Sequence, residues 1–155
     1  MGPHDGVPPM IASALGFDEI DTRTLYEICR LRQQVFVVEQ ECPYPDLDGR
    51  DLEQETRHIL MHDQGRLVGY ARVLDDQVDG EPVWRIGRVV VAPDKRGGKV
   101  GEGVMIRARM TCPDRDIVLD AQSQLVRWYA GMSFAVDGPE FIEDGIPHTP
   151  MRFSR

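Results

Sequence analysis

Residues 86–101, IGRVVVAPDKRGGKVG, constrain what this chain can fold into more than any other stretch. Residues 86–92 are rich in β-branched side chains, which suit a pleated and half-buried surface, so they read as a strand. Pro93 has no N–H to give to a ladder and ends that strand. The turn Arg96-Gly97-Gly98-Lys99-Val100-Gly101 follows, and then Val100, Val104, Met105, Ala108 and Cys112 recur on one helical face. A strand, a glycine turn and a helix in this order hold phosphate well. The first amides of a helix lack internal partners, and the helix dipole favours an anion beside them. Arg96 and Lys99 add positive charge there. Two phosphate motifs are excluded. A Walker loop needs a hydroxyl where Val100 stands, and a dinucleotide fingerprint needs a third glycine where Ile106 stands.

The remaining chain builds a sheet around this stretch. Residues 1–9 are Gly/Pro-rich and read as a disordered tail. Residues 10–15 read as a first strand. A helix capped at Asp21 or Thr22, or by a box of Thr24 and Glu27, runs to about residue 38 with Leu25, Ile28, Cys29, Val35 and Phe36 on one face. Arg32 interrupts that face. Residues 41–56 form an acidic loop. Strands at 57–62 and 67–74 flank a turn at 63–65, and a polar connection at 75–82 leads to the central strand at 83–92. A buried strand at 117–121 precedes a helix capped by Ser123, with Leu125, Trp128, Tyr129 and Met132 at helical spacing. Strands at 134–136 and 149–153, joined by a Gly/Pro-rich loop, end the chain. The pattern predicts an α/β fold with a mixed central sheet, and one domain over residues 10–155.

Composition narrows the function classes. The net charge of −8 argues against a general nucleic-acid binder, whose phosphate-facing surface needs clustered cations, and is compatible with a cationic or amine substrate. No apolar run approaches a membrane span, and the N-terminus has neither a signal core nor a myristoylation hydroxyl. Cys29, Cys42 and Cys112 form no CxxC pair, which points to a reducing cytoplasm rather than a disulfide or zinc framework. His58-x-x-x-His62 has helical metal spacing but falls on a strand. Asp46-x-Asp48-Gly49-x-Asp51 places its glycine two positions early for a calcium loop. The sequence therefore predicts no metal and no membrane or nucleic-acid partner.

The glycine turn resembles the cofactor motif of the GNAT superfamily of N-acetyltransferases, Arg/Gln-x-x-Gly-x-Gly/Ala, with Arg96 first, Gly101 last and Lys99 in place of the middle glycine. A lysine suits that place where φ is negative. From about residue 25 to residue 151 the chain resembles the ElaA-like branch. The likeness rests on Leu31-Arg32 with Val35-Phe36-Val37-Val38-Glu39-Gln40, on Cys42-Pro43-Tyr44-Pro45-Asp46-Leu47-Asp48-Gly49, on Ile86-Gly87-Arg88-Val89-Val90-Val91, and on Glu143-Asp144-Gly145-Ile146-Pro147-His148. The chain departs at Ser123-Gln124, where that branch has Ala-His, and at Ser133-Phe134, where it has Gly-Phe.

The resemblance implies a GNAT fold with a splayed cofactor cleft flanked by helices, and acetyl transfer from acetyl-CoA to a primary amine by direct attack on the thioester. It implies that the backbone of Val89, Val90 and Val91 pairs with pantetheine. The amides of Arg96, Gly97, Gly98, Lys99, Val100 and Gly101 then take the pyrophosphate, and Tyr129 protonates the departing thiolate. Tyr129 also fits a plain core role on its apolar stripe. The general base stays open among Glu39, Asp46, Glu143 and His148. The acceptor amine and the oligomeric state, a homodimer included, stay open too. Two other readings stand beside the enzyme: a non-catalytic acyl-CoA-binding module, and an interaction protein that binds a basic partner through the acidic loop.

Overall fold

The computed structural model describes residues 10–155, and the tail reading of residues 1–9 lies outside them. Strand β1 is Ile11–Leu15. Helix α1 (Thr22–Arg32) is capped by Asp21, whose carboxylate accepts from the Thr24 amide at 2.8 Å. The chain then continues as a π-helical extension, Gln33–Glu39, so the expected helix reaches its predicted end with a wider last turn. Strands β2 (Arg57–Asp63), β3 (Arg66–Val78) and β4 (Glu81–Val91) form a meander, and helix α2 (Val100–Met110) follows. Beyond α2 come β5 (Ile117–Gln122), α3 (Val126–Ala130), β6 (Ala135–Val136), β7 (Phe141–Glu143) and β8 (Ile146–Phe153).

Three sequence expectations change. Residues 75–82 are not a loose connection, because β3 and β4 stay paired out to Val78 and Glu81. Asp79-Gly80 closes that hairpin with φ of 50° and 81°, the doubly left-handed turn whose twist matches paired strands. Gln64-Gly65 and Asp144-Gly145 do the same for β2–β3 and β7–β8, so the expected final loop contains a strand. Ser123 does not cap α3. It opens a 3-10 turn, and its hydroxyl lies 2.9 Å from that of Thr149.

The sheet order is β1-β2-β3-β4-β5-β8-β6, with β7 also on β8. Every neighbouring pair is antiparallel except β4 and β5. On β3 the residues from 67 to 74 are all buried, so both faces are covered. Gly69 faces α2: a Cβ there would stand 2.8 Å from Val100 Cγ1 and Val104 Cγ2. Tyr70 points the other way, as strand alternation requires, and its ring lies under Arg32 of α1. The two helices thus sandwich β3. No helix among the described residues is long and apolar enough to cross a membrane.

The close approach at Gly69 gives a direct test. Gly69→Ala forces α2 off the sheet and is expected to destabilise the protein by about 1–3 kcal/mol. An unchanged urea midpoint would be the contrary result.

Candidate active site

The site begins where two strands part. β4 and β5 pair only at Trp84–Ile117 and Arg85–Val118. Beyond Arg85 the β4 edge facing β5 has no partner strand among the described residues. A bulge sets in at once: Tyr70 pairs with Val90 and Arg72 with Gly87, so one residue of β3 faces two of β4, Arg88 and Val89. Arg88 takes φ of 52° there. A bulge bends its strand and deepens the local twist, which turns β4 away from β5. A cleft of about 1140 Å³ opens between them, walled by β4 on one side and by β5 and α3 on the other.

The glycine turn closes one end. Pro93–Lys95 is a 3-10 turn, Gly97 takes φ of 80°, and Lys99 takes φ of −105°. A lysine therefore stands at the middle-glycine place without strain. Among the described residues no side chain caps the N-terminus of α2, which leaves its first amides available. Val89, Val90, Val91, Arg96, Gly97, Gly98 and Gly101 line the cleft, whereas Lys99 and Val100 do not. Val100 is in the core against Gly69. Gly101 has its own constraint, since a Cβ there would meet the Trp128 ring at 3.1 Å. The Arg96 guanidinium is already engaged, forming a two-bond pair with Glu39 at 2.6 and 2.8 Å. That pair draws the Glu39 carboxyl below its ordinary range.

Tyr129 lines the cleft from α3 and is 5% exposed. Its ring meets Trp128 and Phe134 edge-on, with centroids 4.8 and 6.2 Å away. Its hydroxyl has no hydrogen-bond partner among the described residues. Burial pushes the phenol above its ordinary value and keeps it protonated.

The acidic loop forms another wall, and its carboxylates point inward. Arg32 Nε bonds Asp46 at 2.9 Å and Arg32 Nη1 bonds Asp51 at 2.7 Å. Arg72 takes Asp48 at 2.6 Å and Asp51 at 3.2 Å. Arg88 lies against Asp46, and the Tyr44 hydroxyl donates to Asp46 at 2.7 Å. The three aspartates at calcium-like spacing are thus ligands of arginines. The hydrogen bond from Arg72 holds the Asp48 carboxyl well below the usual range. Burial works to raise Asp51, but Arg32 and Arg72 outweigh it. His58 is buried behind this cluster. Its Nε2 donates to the Asp51 carbonyl at 3.0 Å and its Nδ1 accepts from the Tyr70 hydroxyl at 2.6 Å, while burial pushes its pKa down. Both ring nitrogens of His58 are committed to these bonds.

Sequence reasoning missed Arg32, Arg72 and Arg88 as the frame of this wall. One signal was available: a charged residue on the apolar stripe of α1, followed by three aspartates in a loop. It also missed the bridge from Gln122 to Gln40, 3.2 Å long, which ties β5 to the π-helical segment across the cleft.

A bulged central strand splayed from its parallel neighbour, with a glycine turn feeding a helix, defines the GNAT class of acyltransferases. The chain belongs to that family: the family described as Acetyltransferase (GNAT) domain matches residues 27–155. Within it the chain falls in the ElaA branch. It is 44% identical over 141 residues to Protein ElaA of Escherichia coli, covering 88% of this chain and 92% of that one. It is 44% identical over 134 residues to a UPF0039 protein of Mycobacterium tuberculosis, covering 86% of each. The crystal structure of Escherichia coli ElaA superposes with a TM-score of 0.85 at 40% identity, over 92% of this chain and 98% of that one. An acyl-CoA N-acyltransferase from Pseudomonas aeruginosa gives 0.84 at 35% identity, over 93% and 99%.

The buried cluster makes stability fall with acid in two stages. The folded protein resists protonating His58, so the unfolded chain binds that proton first as pH drops through about 6.5. Asp48 and Asp51 likewise keep their charge longer when folded, and the unfolded chain protonates near pH 4. The melting temperature is therefore expected to decline gently below pH 6.5 and steeply below pH 4. A flat profile from pH 7 to 4 would contradict this.

Proposed function

We propose that the protein is an N-acetyltransferase, one domain over residues 10–155, that moves an acetyl group from acetyl-CoA to a primary amine. The observation that carries this reading is Tyr129, whose hydroxyl has no hydrogen-bond partner among the described residues, lining a cleft that also reaches the glycine turn before α2. The unpartnered β4 edge at Val89, Val90 and Val91 offers backbone groups to a pantetheine amide. The amides of residues 96–101 offer donors to its pyrophosphate. Val100 and Lys99 contribute through their backbones, since their side chains lie off the cleft. Arg96 exchanges Glu39 for phosphate as the donor arrives. Tyr129 gives its proton to the sulfur as the carbon–sulfur bond breaks. Three free thiols, Cys29, Cys42 and Cys112, accord with a cytoplasmic setting.

Two measurements test this. Acetyl-CoA is expected to raise the melting temperature, by the equivalent of about 2.7 kcal/mol at a hundredfold excess over Kd. No shift at millimolar acetyl-CoA would remove the donor site. With a panel of primary amines, Tyr129→Phe is expected to lower kcat about 10²–10⁴-fold, with KM for acetyl-CoA nearly unchanged and folding intact. Donor binding without turnover by the wild type would mark a non-catalytic acyl-CoA module instead. Wild-type kcat in folded Tyr129→Phe would return Tyr129 to the core.

A further inference from the structure

Acetylating an amine at neutral pH needs a group that takes the ammonium proton, and the cleft holds several bases. Most are already committed. Glu39 is paired with Arg96 and Asp48 with Arg72, while Asp46, enclosed by Arg32, Arg88 and Tyr44, does not line the cleft. Asp120 pairs with Arg85 at 3.2 Å, and His58, both of whose nitrogens are bonded, is buried behind the wall and does not line the cleft. His148 differs. It stands on β8 directly opposite Gln122, the last residue of β5, and it lines the cleft. Its Nδ1 lies 2.8 Å from the Ile146 carbonyl oxygen. A carbonyl only accepts, so Nδ1 must carry a hydrogen, and the lone pair of the neutral ring is left on Nε2. Nε2 has no hydrogen-bond partner among the described residues.

The ring is also held still. It stacks on Phe141 with centroids 5.7 Å apart and planes 23° apart. The hairpin that carries it is fixed from two sides. Cys42 Sγ donates to the Asp144 carbonyl at 3.2 Å, and the Thr149 hydroxyl meets Ser123 in the turn that leads to Tyr129. A base held in one tautomer by a backbone carbonyl, on the strand tied to the turn that precedes the helix of the acid, suits acyl transfer.

We propose that His148 is the general base, a role that rests on the amine-acetylating reading above. The acceptor enters as an alkylammonium and gives one proton to Nε2. The freed lone pair forms the carbon–nitrogen bond at the thioester carbonyl. The carbon–sulfur bond breaks, its electron pair leaves on sulfur, and sulfur takes the Tyr129 proton. The second proton on the acylated nitrogen replaces the one Tyr129 gave, and His148 releases its proton to water. Alkylammonium and acetyl-CoA thus become the N-alkylacetamide, free CoA thiol and one proton. The rivals are Glu143 on β7, Asp144 beside it and Glu102 in the first turn of α2, all exposed and lining the same cleft.

Three readouts test the assignment. Nitrogen-15 NMR of the imidazole in the wild-type protein is expected to find the neutral His148 ring protonated on Nδ1; the Nε2–H form would overturn the proposal. His148→Asn keeps a donor toward the Ile146 carbonyl and removes the base. It is expected to melt like the wild type, keep KM for acetyl-CoA within about twofold, and lose about 10²–10⁴-fold in kcat on the best amine of the panel. Added imidazole is expected to restore part of the kcat lost in His148→Ala, which a purely structural residue would not allow. Wild-type turnover alongside a fully active His148→Asn, or a loss confined to Glu143→Gln, overturns His148 and leaves the acetyltransferase reading standing. Donor binding by the wild type with no amine acetylated overturns both.

Discussion

The site depends on β4 leaving β5 after two residue pairs. What turns the strand is the bulge at Arg88 and Val89, and a non-glycine residue at φ of 52° is strained unless its surroundings hold it. They do so here through the side chain. The Arg88 guanidinium lies over Tyr44 and against Asp46, and Asp46 is fixed by Arg32 of α1. The acidic loop, the first helix and the bulge are thus one mechanical unit. The same arginine–aspartate cluster that closes the core beneath Tyr70 keeps the cleft open above it.

Much of this was legible in the sequence, and the failures have physical reasons. The 86–101 stretch was readable because proline and glycine leave the backbone few options. The 75–82 stretch was misread because Asp75, Asp76 and Gln77 look like loop residues. On the strand they are satisfied from outside: Asp75 pairs with Arg115, and Asp76 with Arg85. The Asp79-Gly80 pair was the better guide, since it closes a hairpin whatever the flanking charges. The acidic loop misled in the opposite sense. Charged residues usually face water, but three arginines far away in sequence draw these aspartates inward.

The candidate site divides the same way. Backbone roles, such as the amides of the glycine turn, follow from local sequence. Side-chain roles follow from tertiary partners. No local pattern tells that Arg96 reaches Glu39, which lies 57 residues away, or that the Ile146 carbonyl sets the tautomer of His148. Composition could only name Glu39, Asp46, Glu143 and His148 as equals; burial and partners separate them.

The Arg96–Glu39 pair alters how recognition at the turn is to be understood. An anion arriving there meets a guanidinium that already has a carboxylate, so contact with Arg96 is an exchange of counterions. In the proposed site its contribution to affinity would be the difference between two charge-assisted pairs, of which the one with Glu39 is exposed and screened by salt. Such a difference is small in magnitude and sensitive to the shape of the incoming anion. On the proposed donor site, Arg96 would therefore serve to discriminate among anions, while the amides at the start of α2, with no capping side chain among the described residues, would set how tightly any of them is held.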